Sequence, residues 1–323
     1  MQLINQKFKR AIVTGGAGFI GSHLVDELLN QGLEVISIDD YSGGKSENLA
    51  HLTDKPQFKE VVCDVTDFDA LSPYFEGVDV VFHQACSKNT VCMKDPARDL
   101  AVNAEGTLNM LHQAKAHGVK KFVHASTGSV YGEPYIFPSN ESHPLNPVSY
   151  YGVSKLCGEK YVRLFSDLHG MDTVILRYYH VFGPRQEYSD VGGVVSIFGR
   201  RAVQGKPLII YGDGTQLRSF TYVQDVVGIN LLVAMIDGIS GESYNCASGI
   251  KVTIQELAEA VLKYFGREDL EIQYQDWKPG DIKKFDVDNN KLKALGFNFQ
   301  YEFKTGLSKT LDWSKRFFAS QTD

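Results

Sequence analysis

The sequence lacks the features that mark several large classes of protein. No block of basic residues offsets its net charge of −6, so nucleic acid is not expected as its main partner. No apolar run approaches the ~18 residues of a membrane-spanning helix. Residues 1–10 are polar and lack the apolar core of a signal peptide. The five cysteines, Cys63, Cys86, Cys92, Cys157 and Cys246, are odd in number and scattered, with no CxxC pair. That pattern argues against a disulfide framework or a zinc site, so no metal is expected, and it fits a reducing cytoplasm. Neither an internal repeat nor a low-complexity linker is present.

What remains is ordinary globular material. The 323 residues, 43% apolar and 22% charged, suffice for one large or two modest domains. Short apolar runs at 11–14, 35–38, 58–63, 78–83, 122–125 and 173–176 read as strands. Helical stretches lie among them, notably 97–116 and 149–168. Such alternation predicts an α/β fold: a doubly wound parallel sheet with helices on both faces. After Arg177 the segments shorten, and Gly, Pro and aromatic residues become frequent. We expect a first domain over 1–177, with the chain returning to it around 222–247. A smaller, irregular α/β domain is expected over 178–323. Within it a helix over 253–265 opens on a possible capping box, Thr253 with Glu256.

Gly16-x-Gly18-x-x-Gly21, with Gly15 just before it, falls between an expected strand and an expected helix. Glycines there permit a tight turn and close backbone approach to a pyrophosphate, which then faces the N–H groups of the helix N-terminus. Asp39 ends the second strand, 18 residues after Gly21. A carboxylate at that place accepts hydrogen bonds from ribose hydroxyls and repels a 2′-phosphate, which favours NAD over NADP. Asp64 and Val65 follow the third strand. Two readings of Asp64 stand: a partner for the adenine amino group, or a helix cap before Thr66 and Asp67.

Tyr151 and Lys155 are four apart, so on a helix they share one face. A phenol is a poor base at neutral pH, with a reference pKa near ~10. A neighbouring ammonium, together with a positive nicotinamide ring, is expected to lower that value. The phenolate then removes a hydroxyl proton while hydride leaves the same carbon. Without the glycine turn, an exposed helix pair would explain the spacing equally well.

Several segments, taken together, resemble motifs of the extended short-chain dehydrogenase/reductases of the nucleotide-sugar epimerase/dehydratase family. They are TGGAGFIG (14–21), HASTGSVYGEP (124–134), SYYGVSKLCGE (149–159), LRYYHVFGPRQ (176–186), IYGDGTQLRSFTYVQDVV (210–227) and KPGDI (278–282). The resemblance spans nearly the whole chain and implies a Rossmann-type fold, NAD as cofactor and a nucleotide-diphosphate sugar, UDP-linked above all, as substrate. It gives Tyr151 the role of general base and Lys155 that of orienting the nicotinamide ribose. Thr127 would hydrogen-bond the reacting sugar hydroxyl. Phe19 and Ile20 would lie beside the pyrophosphate and Lys88 near the nicotinamide ribose. Asn103 would stand at the back of the cofactor pocket, unless it is simply a helix cap. Arg218 and Lys278 would hold the substrate diphosphate, where each taken alone reads as a solvated surface charge. In the family, helices matching 97–116 and 149–168 pair across a homodimer.

The residues after Thr127 bear on the reaction. Family 4,6-dehydratases carry Thr-Asp-Glu there, and the decarboxylases keep the glutamate. This chain has Gly128 and Ser129, with Ser129 expected against the substrate. Without that acid and base, dehydration lacks its proton carriers. Epimerisation of a UDP-hexose or UDP-uronate at C4 through a transient 4-keto sugar is the leading expectation. A decarboxylase or 4,6-dehydratase whose acid comes from elsewhere is the alternative, and a non-catalytic NAD-binding regulator a more distant one. His180 stands where the family has a substrate-contacting asparagine, either to donate a hydrogen bond or to pack. Ser219 replaces an aspartate. Phe285 aligns with a position controlling sugar size, unless it is a core aromatic.

Overall fold

A computed structural model describes residues 3–87, 92–190, 192–277 and 286–319. Its strands are β1 (Arg10–Thr14), β2 (Glu34–Asp39), β3 (Phe58–Val62), β4 (Val80–His83), β5 (Lys121–Thr127), β6 (Thr173–Tyr178), β7 (Val181–Phe182), β8 (Leu208–Tyr211), β9 (Leu217–Ser219), β10 (Thr221–Tyr222), β11 (Glu242–Cys246), β12 (Lys251–Thr253) and β13 (Ile272–Gln275). The main sheet runs β11-β6-β5-β4-β1-β2-β3. Every pairing from β6 to β3 is parallel. The order reverses between β1 and β4. In a doubly wound sheet the crevice at the carboxyl ends of two such strands is where a dinucleotide is held.

The short apolar runs become strands because both faces of a parallel sheet are covered by helices. All four residues of β4 are buried. Ile12, Val81, Phe122 and Ile175 from four neighbouring strands pack with Met110 and Leu111 of the Gly106–Ala116 helix and with Val162 and Phe165 of the Tyr150–His169 helix. The helix expected over 97–116 is present but not uniform. Pro96–Leu100 is α-helical, Ala101–Glu105 takes one π turn, and Gly106–Ala116 resumes the α-helix. Asn103 sits inside that π turn, so it is not a helix cap.

The chain forms two compact units. One comprises Met1–Gly132, Pro144–Tyr178 and Val227–Tyr244; the other comprises Glu133–His143, Tyr179–Val226 and Asn245–Asp323. The second unit carries three two-stranded sheets, β10-β7, β12-β9 and β13-β8. It also carries the Ile254–Phe265 helix, whose Thr253 and Glu256 form the expected capping box. Among the described residues no helix is long and apolar enough to cross a membrane.

Two imidazoles stack in the middle of the sheet. His83 on β4 and His124 on β5 lie 5.4 Å apart, centroid to centroid. Burial, followed by the charge of Lys155, pushes His83 down to about 3 and His124 well below its ordinary value. The unfolded chain therefore takes up these protons first as pH falls. Stability is full above about 6.5 and declines toward the folded values. Between pH 7 and pH 5 His83 alone should cost about 2 kcal/mol, with His124 adding in the same direction. Urea midpoints at the two pH values check this, and His83→Asn should flatten the slope.

Candidate active site

The glycine turn follows β1 and leads into the Phe19–Asn30 helix. Gly15 has φ of +63°, and a Cβ there would lie 2.8 Å from the Ala85 nitrogen. A Cβ on Gly21 would fall 2.0 Å from the Gly15 carbonyl oxygen. Only glycine allows so tight a turn. Gly18 is the N-cap residue and supplies no side-chain cap, so Phe19, Ile20 and Gly21 begin the helix with backbone donors turned to its open end. The Asp39 carboxylate accepts from the N–H groups of Ala17 and Tyr41, both at 2.9 Å. It thereby ties the glycine turn to the end of β2.

Asp64 does not act as the cap; Asp67 does, accepting from the Ala70 N–H at 3.1 Å. Asp64 instead meets Arg98 at 2.6 Å, and the same guanidinium reaches Asp40 at 3.0 Å. Val65, next to it, is buried. The sequence reading missed Arg98. It bridges the carboxyl ends of β2 and β3 from a helix far along the chain, and no local pattern announces it.

Tyr151, Ser154 and Lys155 lie on the first turns of the Tyr150–His169 helix, which Ser149 caps by accepting from the Gly152 N–H. They do not form an exposed pair, because Lys155 is 1% exposed. Its amine has no hydrogen-bond partner among the described residues. A buried donor left in that state is costly unless a ligand completes it. Thr127 ends β5 and opens a 3₁₀ turn, Gly128–Tyr131, by accepting from the Ser129 N–H at 3.1 Å. Its side chain is hydrogen-bonded to Tyr151. The structure thus brings Thr127, Ser129, Tyr151 and Lys155 together.

In the protein alone, without the positive nicotinamide ring that the expectation invokes, the phenol of Tyr151 is not lowered. Burial raises its pKa well above the ordinary value, Cys86, Asp99 and Cys92 add to the rise, and the Thr127 hydrogen bond opposes it. Burial lowers Lys155, while Cys86, Glu159 and Asp99 pull it back.

A buried polar frame that the sequence reading did not assign lies behind this group. Arg177 on β6 grips Glu159 through two bonds, 3.0 and 2.8 Å, and donates to the Tyr131 hydroxyl at 2.7 Å. The Ser126 hydroxyl donates to Glu159 as well. Glu159 follows Lys155 by four residues on one helix, and that spacing was the signal available to find it. Asn103 accepts from the Ser87 N–H at 2.9 Å and donates to Asp99 and Ser154 at 3.1 and 2.9 Å.

In the second unit, Arg218 on β9 is 5% exposed, so it is not a solvated surface charge. His180 has φ of +33° and sets its ring edge-on to Phe220 at 6.0 Å. Burial, then the charge of Arg218, holds His180 down at about 3, so it is a neutral, packed imidazole at pH 7. Lys88, Lys278 and Phe285 lie outside the described residues.

The family model for the NAD dependent epimerase/dehydratase family matches residues 11–247. The chain belongs to that family. Among relatives, a putative UDP-glucose 4-epimerase of Methanocaldococcus jannaschii is 36% identical over 307 residues, covering 94% of this chain and 98% of its own. UDP-glucuronic acid decarboxylase 6 of Arabidopsis thaliana is 37% identical over 317 residues, covering 94% and 90%. The crystal structure of a UDP-glucose 4-epimerase from Thermotoga maritima with UDP-glucose superposes with a TM-score of 0.90 at 35% identity, covering 97% of this chain and 100% of that one.

The residues of this epimerase/dehydratase family member fit NAD. The glycine turn leaves no room for side chains, and the buried Lys155 amine lacks a partner that ribose hydroxyls would supply. Gly15, Gly18, Phe19, Ile20 and Gly21 would hold the pyrophosphate, Asp39 and Asp64 the adenosine end, and Tyr151 and Lys155 the nicotinamide end.

Proposed function

We propose that this chain is an NAD-dependent UDP-sugar 4-epimerase, acting on a UDP-hexose or UDP-uronate. The observation that carries the reading is the Thr127–Tyr151–Lys155 group set against a turn, Gly128–Tyr131, that contains no carboxylate. When bound, NAD takes up hydride from the sugar carbon and gives it back. Tyr151 accepts the proton of the C4 hydroxyl and later returns it, so atoms and charge balance over the cycle. Thr127 aligns that hydroxyl, with Ser129 beside it, and Lys155 holds its charge near the phenol and favours the phenolate. Arg218 and Lys278 hold the diphosphate in this reading, and Phe285 limits the size of the sugar. The neutral ring of His180 contributes shape rather than charge. The first compact unit carries the cofactor and the second carries the main substrate-binding residues.

A panel of UDP-sugars followed by proton NMR tests the proposal. A C4 epimer of unchanged mass is expected. Loss of CO2 would mark a decarboxylase, like the Arabidopsis relative, and a 4-keto-6-deoxy product a dehydratase; either would overturn the epimerase reading.

We also propose a cytoplasmic homodimer. Free cysteines support the reducing compartment. Tyr150, Val153, Leu164 and Leu168 form an exposed apolar stripe along the Tyr150–His169 helix, with Leu168 at 70% exposure. A face of that kind is better covered by a partner than by water. Sedimentation should find two copies together, and the double change Leu164→Lys, Leu168→Lys should give a folded monomer.

A further inference from the structure

Asp99 is a carboxylate with 0% exposure, in the last turn of the Pro96–Leu100 helix. Buried acids are normally matched by a cation. Here the hydrogen-bond partners are neutral. Asn103 Nδ2 donates to Oδ1 at 3.1 Å, and Ser154 Oγ donates to Oδ2 at 2.6 Å. The orientation of the Asn103 amide is fixed, because its Oδ1 already accepts from the Ser87 N–H. Ser154, in turn, accepts from Asn103 at 2.9 Å, and its own proton has Asp99 Oδ2 at 2.6 Å and the Tyr151 carbonyl oxygen at 3.0 Å within reach. Both carboxylate oxygens thus have a hydrogen-bond partner. The π turn and Gly158 bring these helices close: a Cβ on Gly158 would lie 2.8 Å from the Asn103 carbonyl oxygen.

The other side of this frame is Lys155, one residue beyond Ser154. Its buried amine has no hydrogen-bonding anion among the described residues. Among the described residues, the groups that bear on it and on Tyr151 come from several neighbouring elements: His83 and Cys86 from β4 and the segment after it, His124 from β5, Glu159 from their own helix, and Cys92 and Asp99 from the segment before the π turn. Glu159 is already balanced by Arg177 through two short bonds. The two imidazoles are neutral, and a thiol carries charge only as a thiolate. Among the described residues, the negative charge here that has no cationic hydrogen-bond partner is that of Asp99.

We propose that Asp99 is a positioning residue whose fixed charge keeps the Lys155 amine protonated and sets the pH range in which Tyr151 works. This rests on the assignment of Tyr151 and Lys155 to the reaction. Removing the anion makes the ammonium less favourable and the phenolate more so, and both effects move ionisation to lower pH. Asp99→Asn keeps shape and hydrogen bonding, because Ser154 can turn its proton to the Tyr151 carbonyl oxygen, 3.0 Å away. Ser154→Ala removes a hydrogen bond and leaves the charge, so it reports any purely structural effect.

The test uses full-length protein with NAD bound and with lysines carrying carbon-13 at Cε. A Lys155→Met variant identifies the Lys155 signal, and its titration is followed by NMR. In Asp99→Asn the midpoint should fall by about one pH unit or more, while Ser154→Ala should stay with wild type. Both limbs of the pH–turnover curve should move toward acid in Asp99→Asn. An unmoved Lys155 midpoint in that variant overturns the proposal. A lowered midpoint in a protein whose Tyr151→Phe variant still turns over normally upholds the electrostatic claim and sinks the assigned chemistry instead.

Discussion

Tyr151→Phe should lower turnover by about 10³-fold while leaving the fold and NAD affinity almost unchanged. The expectation follows from what the substitution removes. The ring and its packing on the helix are kept; only the hydroxyl that Thr127 holds is lost. A positioned acid–base group contributes roughly 10²–10⁴-fold. Neither Thr127 nor Lys155 replaces it. An aliphatic hydroxyl is far too weak an acid, and the buried amine is the group that favours the phenolate. The checks are steady-state turnover of a UDP-sugar and NAD binding followed by fluorescence. Turnover within tenfold of wild type would remove Tyr151 from the mechanism.

Glu159→Gln should destabilise the protein more than any surface change and should weaken turnover along with it. Glu159 and Arg177 are each about 4% exposed in their side chains. Removing one member of such a pair leaves an uncompensated buried charge, at a cost of about 3–5 kcal/mol. The melting temperature should fall by roughly 5–15 °C. Burial works against the charged form of Arg177, and the Glu159 carboxylate more than offsets it and raises its pKa. Without Glu159 that support is gone, yet a guanidinium starts from so high a reference value that it stays charged. The double change Glu159→Leu, Arg177→Met should recover much of the stability, because two apolar groups leave no orphaned charge. Turnover should not recover. Arg177 also holds Tyr131, which ends the turn that Thr127 begins, so the polar frame sets where that hydroxyl sits. A single variant as stable as wild type would show that the pair contributes nothing.

These two cases also show how far the sequence carried the reading. Strands and main helices were legible because their apolar spacing is local. Tyr151 and Lys155 were legible because four residues on one helix always share a face. The π turn was not, since it depends on Asn103 docking against Ser154, 51 positions away. Arg98 reaches Asp40 across 58 positions, so neither residue's neighbours hint at the bond. The upward pull on the Tyr151 phenol in the protein alone was not legible for a related reason. A nearby amine can be read from spacing, but the loss of water around the phenol is a property of the assembled fold. His180 was left open between two roles, and burial beside Arg218 decides its charge.

The order in which the first compact unit is assembled has a consequence for how the chain is made. Its last stretch, Val227–Tyr244, arrives after much of the other unit has been synthesised. Asn230 from that stretch meets Gln84 and Tyr178, and the Ile236 carbonyl receives the Lys121 amine at 2.8 Å. A nascent chain stopped at residue 178 would hold the glycine turn and the catalytic helix but lack these closing ties. Such a truncation should behave as an open, protease-sensitive fragment, and the ribosome must deliver residue 244 before the dinucleotide fold can shut.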